Sequence, residues 1–167
     1  MKFKNYKSAR ISSLLFLLTV LTSFALQAGN QSTEHTFNVK AFYLDFRTQV
    51  MTVQAIKSMA DDLSKNGINT LVIEYEATFP FDRHATLCNE YAFTESDIKD
   101  IVSHCARLGM DIIPLQNCFG HCEYILRHDR YAMLREDNKE VSQVCPLKIQ
   151  VAKEVFGAIF QEVASLH

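Results

Sequence analysis

The sequence predicts an α/β fold: the first three β/α units of a partial (β/α)8 TIM barrel. Three observations carry that expectation. Strand-like and helix-like patterns alternate three times along the chain. Turns that lead from a helix to the next strand are short, and the long loops, rich in polar and aromatic side chains, all follow strands, as on the active-site face of a barrel. The chain reaches Ser165-Leu166-His167 about where a fourth strand is due, and a complete barrel needs about 250 residues against the 167 present.

The first segment is set apart from the fold. Lys2, Lys4, Lys7 and Arg10 precede an apolar run from Leu14 to Leu26, and Leu26-Gln27-Ala28 reads as a cleavage site. This predicts a signal peptide over 1–28, a periplasmic or secreted location, and one domain over 29–167. The apolar run is shorter than the ~20 residues that span a bilayer, so no stable membrane insertion is expected after cleavage. No Cys stands near the cleavage point, which argues against a lipid anchor.

Phe37 to Phe46 predicts the first strand, since Val39, Ala41, Phe42, Tyr43, Leu44 and Phe46 form the near-continuous apolar run of a central parallel strand. Thr52 can cap a helix whose Val53, Ile56, Ala60 and Leu63 share a face, and Gly67 after Asn66 supplies its stop. Thr70-Leu71-Val72-Ile73 is the second strand, followed by an aromatic and polar loop from Tyr75 to Phe93. Thr94 caps a second helix with Ile98, Ile101, Val102, Cys105 and Leu108 on one stripe, ended by Gly109. Met110 to Leu115 is the third strand. A loop from Gln116 to about Pro146 carries a short helix near Glu123 to Arg127. The last helix has the stripe Ala152, Val155, Phe156, Ile159, Phe160, Val163.

Several function classes are excluded by these patterns. A net charge of −2 gives no electrostatic case for nucleic acid or an anionic membrane. The first strand-to-helix turn, Asp45-Phe46-Arg47-Thr48-Gln49, has no glycine, so neither a Rossmann nor a P-loop site is expected, although a small doubly wound sheet would suit the length. The five cysteines are odd in number and irregularly spaced, unlike a disulfide framework. Cys105 reads as core packing. Among Cys88, Cys118, Cys122 and Cys145 a pair can bridge, and the sequence does not say which.

Candidate functional residues gather at the three strand exits. Asp45 and Arg47 share a face after strand one, either orienting a substrate hydroxyl or pairing in the rim. After strand two, Glu74 and Glu76 point the same way if the strand continues, among Tyr75, Phe79 and Phe81. Carboxylates among aromatics suit a sugar, because rings stack on pyranose faces and carboxylates grip hydroxyls. Paired carboxylates also suit acid/base work, one raising the pKa of the other. After strand three come Gln116, Asn117 and His121, with Gly120 allowing a tight turn. Cys118, His121 and Cys122 fit no familiar zinc spacing.

Taken together, these residues resemble glycoside hydrolase family 20, in particular the hexosaminidase D-like β-N-acetylhexosaminidases. The likeness rests on Phe42-Tyr43-Leu44-Asp45, on Ile73-Glu74-Tyr75-Glu76 through Phe79-Pro80-Phe81, on Ile113-Pro114-Leu115 with Phe119-Gly120-His121, and on Tyr124-Ile125-Leu126-Arg127-His128 leading to Leu134-Arg135-Glu136-Asp137. The resemblance implies a (β/α)8 barrel that hydrolyses terminal N-acetylhexosamine from amino-sugar glycans by substrate-assisted catalysis, with no cofactor and no metal. It also implies an Asp-Glu catalytic pair at the end of a fourth strand. No Asp-Glu dipeptide occurs in this sequence, so no catalytic residue carries over and the chain alone is expected to be inactive.

What carries over is a substrate-binding set. His121 matches the family's Gly-His after strand three, and Asn117 stands where relatives have Gln or Asp. Lys40 stands near a sugar-binding Arg, keeping the charge without the planar two-pronged grip. Asp45, Glu74 and Glu76 complete the set. Open strand edges predict self-association. Two other readings stand beside the enzyme fragment: a non-catalytic carbohydrate-binding half-barrel, and a Cys/His metal protein.

Overall fold

A computed structural model describes residues 37–167. The signal peptide expected over 1–28 lies outside the described residues. The elements run β1 (Ala41–Asp45), α1 (Val53–Lys65), β2 (Thr70–Glu74), α2 (Glu95–Arg107), β3 (Asp111–Leu115), α3 (Glu123–Leu126) and α4 (Ile149–Ala164). Short 3₁₀ turns at Glu76–Thr78, Ala85–Leu87, Asp129–Leu134 and Pro146–Lys148 lie in the loops.

The strands form one parallel sheet in the order β1-β2-β3. Its register aligns Tyr43, Val72 and Ile113 across the sheet, and likewise Asp45, Glu74 and Leu115. Side chains alternate along a strand, so these rows belong to one face. The other face presents Leu44, Leu71 and Ile73, all buried, to α1 and α2, which contribute Ile56, Ala60, Ile98, Ile101 and Cys105 to the same core. Complete burial of a Leu or Ile contributes about 2 kcal/mol, which fixes the sheet-to-helix layer.

Local signals set the helix ends. Thr52 Oγ1 accepts the Ala55 amide at 3.2 Å, and Gly67 takes a φ of 81° where a side chain would be strained. Thr94 and Asp97 form a reciprocal capping box at the start of α2. Lys57 and Asp100 pair at 2.8 Å between α1 and α2, and His104 Nε2 lies 2.8 Å from Asp61.

The structure corrects three expectations. The first strand is shorter than Phe37–Phe46, and β1 is an outer strand whose Ala41, Phe42 and Tyr43 are exposed. Among the described residues β2 lies between β1 and β3. Secondly, the connection from β3 to α4 is more than a loop with one short helix. The long connection from β3 builds its own buried cluster from Tyr124, Ile125, Leu126, Tyr131, Leu134 and Val144, and α4 packs beside it and the β2–α2 loop through Ala152, Phe156, Ile159 and Val163. A groove of about 420 Å³ beside β3 is lined in part by Val102, Ala106, Met110 and Ile112, and by His167 from just beyond α4. Thirdly, the 3₁₀ turns carry no hydrophobic period and were not expected. Among the described residues no helix is long and apolar enough to cross a membrane.

Candidate functional site

Parallel strands deliver their C-terminal ends together, and here that end gathers charge. Glu74 closes β2 and is only 3% exposed. Tyr43 from β1 donates its hydroxyl to Glu74 Oε2, and Asn117 beyond β3 donates its amide to Oε1. Asp45, beside Glu74 in the register, takes a two-pronged ion pair from Arg47, with Nε at 2.9 Å and Nη2 at 2.5 Å from Oδ2. Arg47 Nε also lies 3.8 Å from Glu74 Oε1, so one guanidinium serves two carboxylates. These bonds hold the Asp45 carboxyl below the ordinary carboxylate range and raise the Arg47 guanidinium. The Tyr43 hydroxyl is pushed up to about 12 by desolvation and then by Glu74.

Glu76 stands differently. The strand stops at Glu74, and Glu76 opens a 3₁₀ turn with a φ of 47°. Strand alternation therefore does not orient it, contrary to the expectation that both glutamates point together along a continued strand. It still lies within the field of Glu74, Asp45 and Glu123. Burial first, and then repulsion from Glu74, raise its carboxyl to about 7, against the pull of Arg47. Its Oε1 is buried and has no hydrogen-bond partner. Near neutral pH this group can both donate and accept a proton, which is the chemistry a sugar hydroxyl meets well.

The third strand exit supports the first two. Tyr124, buried in α3, donates to Gln116 Oε1 at 2.8 Å, and Gln116 Nε2 donates to the Asn117 carbonyl at 2.7 Å. That chain of bonds holds Asn117 toward Glu74. His121 is exposed, with a φ of 54°. The loop around it is tied down by Cys122 N to Ser142 O at 2.9 Å and Val144 N to Phe119 O at 2.8 Å.

The structure thus brings together Asp45, Glu74, Glu76 and Asn117, with His121 four residues beyond Asn117 on the same loop. Lys40 is not brought in. It precedes β1, its amide bonded to Asn69 Oδ1 at 2.8 Å, at the opposite end of the strand from Asp45. At ~3.3 Å per residue that separation is roughly 16 Å. Tyr43 and Tyr124 belong to the cluster without having been singled out, and Gln116, a candidate after strand three, joins them there. Tyr43 was findable, because it stands two residues before Asp45 on the same strand face. Tyr124 and Gln116 meet through a turn that sequence spacing does not define.

The cysteines are free in all five positions, Cys118 exposed and Cys105, Cys122 and Cys145 buried. Burial pushes the Cys122 thiol up to about 12. Among the described residues no group of three or more His, Cys, Asp and Glu is placed to hold a metal ion. The Cys118, His121 and Cys122 grouping therefore gains no support as a zinc centre.

No family model matches the chain. It is 33% identical over 135 residues to Hexosaminidase D of Homo sapiens, a match covering 78% of this chain and 27% of that protein. With Hexosaminidase D of Bos taurus it shares 36% identity over 103 residues, covering 60% of this chain and 29% of the relative. The chain thus spans less than a third of the length of these curated relatives. In fold it is similar to the family 20 β-N-acetylhexosaminidase from Streptomyces coelicolor A3(2), with a TM-score of 0.65 and 19% identity over 78% of this chain and 31% of that one. A Streptomyces plicatus β-hexosaminidase mutant in complex with the product GlcNAc gives a TM-score of 0.66 at 19% identity, over 78% of this chain and 30% of that one.

Proposed function

Starting from a chain that is glycoside hydrolase family 20 hexosaminidase-like in sequence and fold, we propose that it supplies the first three β/α units of an exported β-N-acetylhexosaminidase. The longer protein removes terminal N-acetylhexosamine from glycans. Its reaction is substrate-assisted: the sugar's acetamido oxygen attacks the anomeric carbon while the leaving oxygen takes a proton, and water then opens the resulting ring. The Asp-Glu pair that this chemistry needs belongs to a strand beyond His167. This chain alone holds part of the sugar-binding face and turns over no substrate.

The observation that carries the reading is the carboxylate cluster at the C-terminal ends of β1 and β2. Glu74, with both oxygens engaged, is a fixed anion that holds Tyr43 and Asn117 in place. Glu76, with one oxygen unpartnered and its pKa raised to about 7, is the group poised to meet a sugar hydroxyl. Asp45 and Arg47 close the rim beside them.

The test is hydrolysis of an aryl N-acetyl-β-glucosaminide by this chain and by the product of the same reading frame extended past His167. Release by the extended protein and none by the chain is expected. An extended protein that carries a fourth strand with Asp-Glu and still releases nothing would overturn the enzyme reading. A second reading, a carbohydrate-binding half-barrel, rests on the same cluster: Glu76 Oε1 is buried and unpartnered, which suits holding a sugar hydroxyl without turnover. N-acetylglucosamine binding by the chain, with an authentic stop codon after His167, would put it first.

A further inference from the structure

Helix α4 meets the β2–α2 loop through two histidines that the candidate site does not use. His84 lies in the loop and is 6% exposed. Its Nδ1 is 2.7 Å from the Tyr131 hydroxyl, and its Nε2 faces Glu162 Oε1 of α4 at 3.9 Å. Glu162 Oε2 accepts the loop amides of Asp82 and Arg83 at 2.7 and 3.1 Å, so the carboxylate already fastens helix to loop. Its Oε1 is buried without a hydrogen-bond partner.

His167 makes the second fastening. Its Nδ1 lies 2.8 Å from the Val163 carbonyl, which can only accept, so that nitrogen carries the proton. Nε2 then accepts from the Tyr75 hydroxyl at 3.1 Å, with the ring against Tyr75 and Phe79. Both settings suit a neutral imidazole. A proton added at His167 Nε2 makes that atom a donor, so the Tyr75 hydroxyl must accept instead and its own proton loses its acceptor in a site buried from water. A proton added to His84 is opposed by lost solvation and by Arg130 and Arg83, and favoured by Glu162 alone.

We propose that this contact is an acid-opened clasp, in which neutral His84 and His167 hold α4 against the β2–α2 loop and protonation loosens it. The charged and titratable groups that face His84 are Glu162 from α4, Arg83 from its own loop, and Arg130 and Tyr131 from the Asp129–Leu134 turn; Tyr75 faces His167. Burial lowers both histidines from the ordinary value of 6.5. A base lowered in the folded state gives its full contribution above the unfolded value and loses it as pH falls below 6.5. The same loop carries Glu76, and His167 bonds Tyr75 directly before it, so the clasp fastens the segment that carries part of the candidate site.

The experiment is hydrogen exchange on the whole chain between pH 7.5 and 5.5, corrected for intrinsic rates, with β2 amides as the internal reference. Protection of α4 is expected to fall toward acid while β2 keeps its own, and the His84→Gln/His167→Gln double variant is expected to remove that dependence. The clasp is overturned by α4 protection that stays level or rises in acid, by loss shared equally with β2, or by a loss that persists undiminished in the double variant. If the double variant does not fold, ring-proton titration of the wild-type histidines decides: midpoints below 6.5 support the clasp, and midpoints at or above it overturn it.

Discussion

Glu74 is a buried carboxylate whose two oxygens are satisfied by Tyr43 from β1 and by Asn117 from the loop after β3. A buried charge that loses a partner keeps the desolvation cost of the bond, about 1–3 kcal/mol. Asn117→Leu is therefore expected to destabilise the chain by that amount, read as a lower urea midpoint at unchanged slope. Glu76 has the opposite character. Its carboxyl is raised from 4.5 to about 7, so the protonated form is the one the fold prefers. Such a group contributes most below its unfolded value, and the contribution is lost as pH rises through 4.5 to 7. Glu76→Gln imitates the protonated form without the cost. A Tm gain on the order of 3 °C is expected above pH 7, vanishing near pH 4, by calorimetry across the two conditions. Glu74, Glu76, Asp45 and Asn117 were legible because strand exits collect polar residues whatever the detail of the loops. Lys40 was misplaced for the same reason: nearness to β1 in sequence does not say at which end of the strand a residue stands.

At the scale of elements, what was legible was what local chemistry decides. Thr94 announces the start of α2, and in the structure Asp97 completes a capping box with it, at 3.1 Å for the Asp97 amide and 2.8 Å for the Thr94 amide. Thr94→Ala is expected to cost about 1 kcal/mol, with faster exchange in the first turn of α2 and none at α1. Gly67 and Gly109, at φ of 81° and 70°, end α1 and α2 as their positions after the apolar stripes imply. The placement of α4 was not legible. Its stripe of Ala152, Phe156, Ile159 and Val163 says that one face is buried and nothing about the surface that buries it. That surface is assembled from Tyr131, Leu134 and their neighbours in the β3–α4 connection, a segment without helical or strand period whose folding depends on contacts far apart in sequence.

For the molecule as a whole, the sheet decides behaviour. Among the described residues β1 and β3 each pair on one side only, since β2 lies between them. An outer strand offers a row of unpaired amides and carbonyls, which is a template for another chain. The face that carries Tyr43, Val72 and Ile113 adds apolar area, with Tyr43 47% and Ile113 48% exposed and helices packed only behind the sheet. Phe42, 40% exposed on the outer strand, adds more. Neither edge shows the usual defence of an inward lysine or a proline at its centre; Pro114 lies near the end of β3, and β1 reads Ala-Phe-Tyr-Leu-Asp. Purified chain is therefore expected to associate as its concentration rises, through strand edges and the apolar row together. Sedimentation velocity over a hundredfold concentration range checks this. Ile113→Lys places a charge in the centre of the apolar row and is expected to shift the distribution toward monomer without changing helix content. A wild type that remains monomeric throughout would mean that this face is covered in solution by residues of its own chain, and would remove the basis for association.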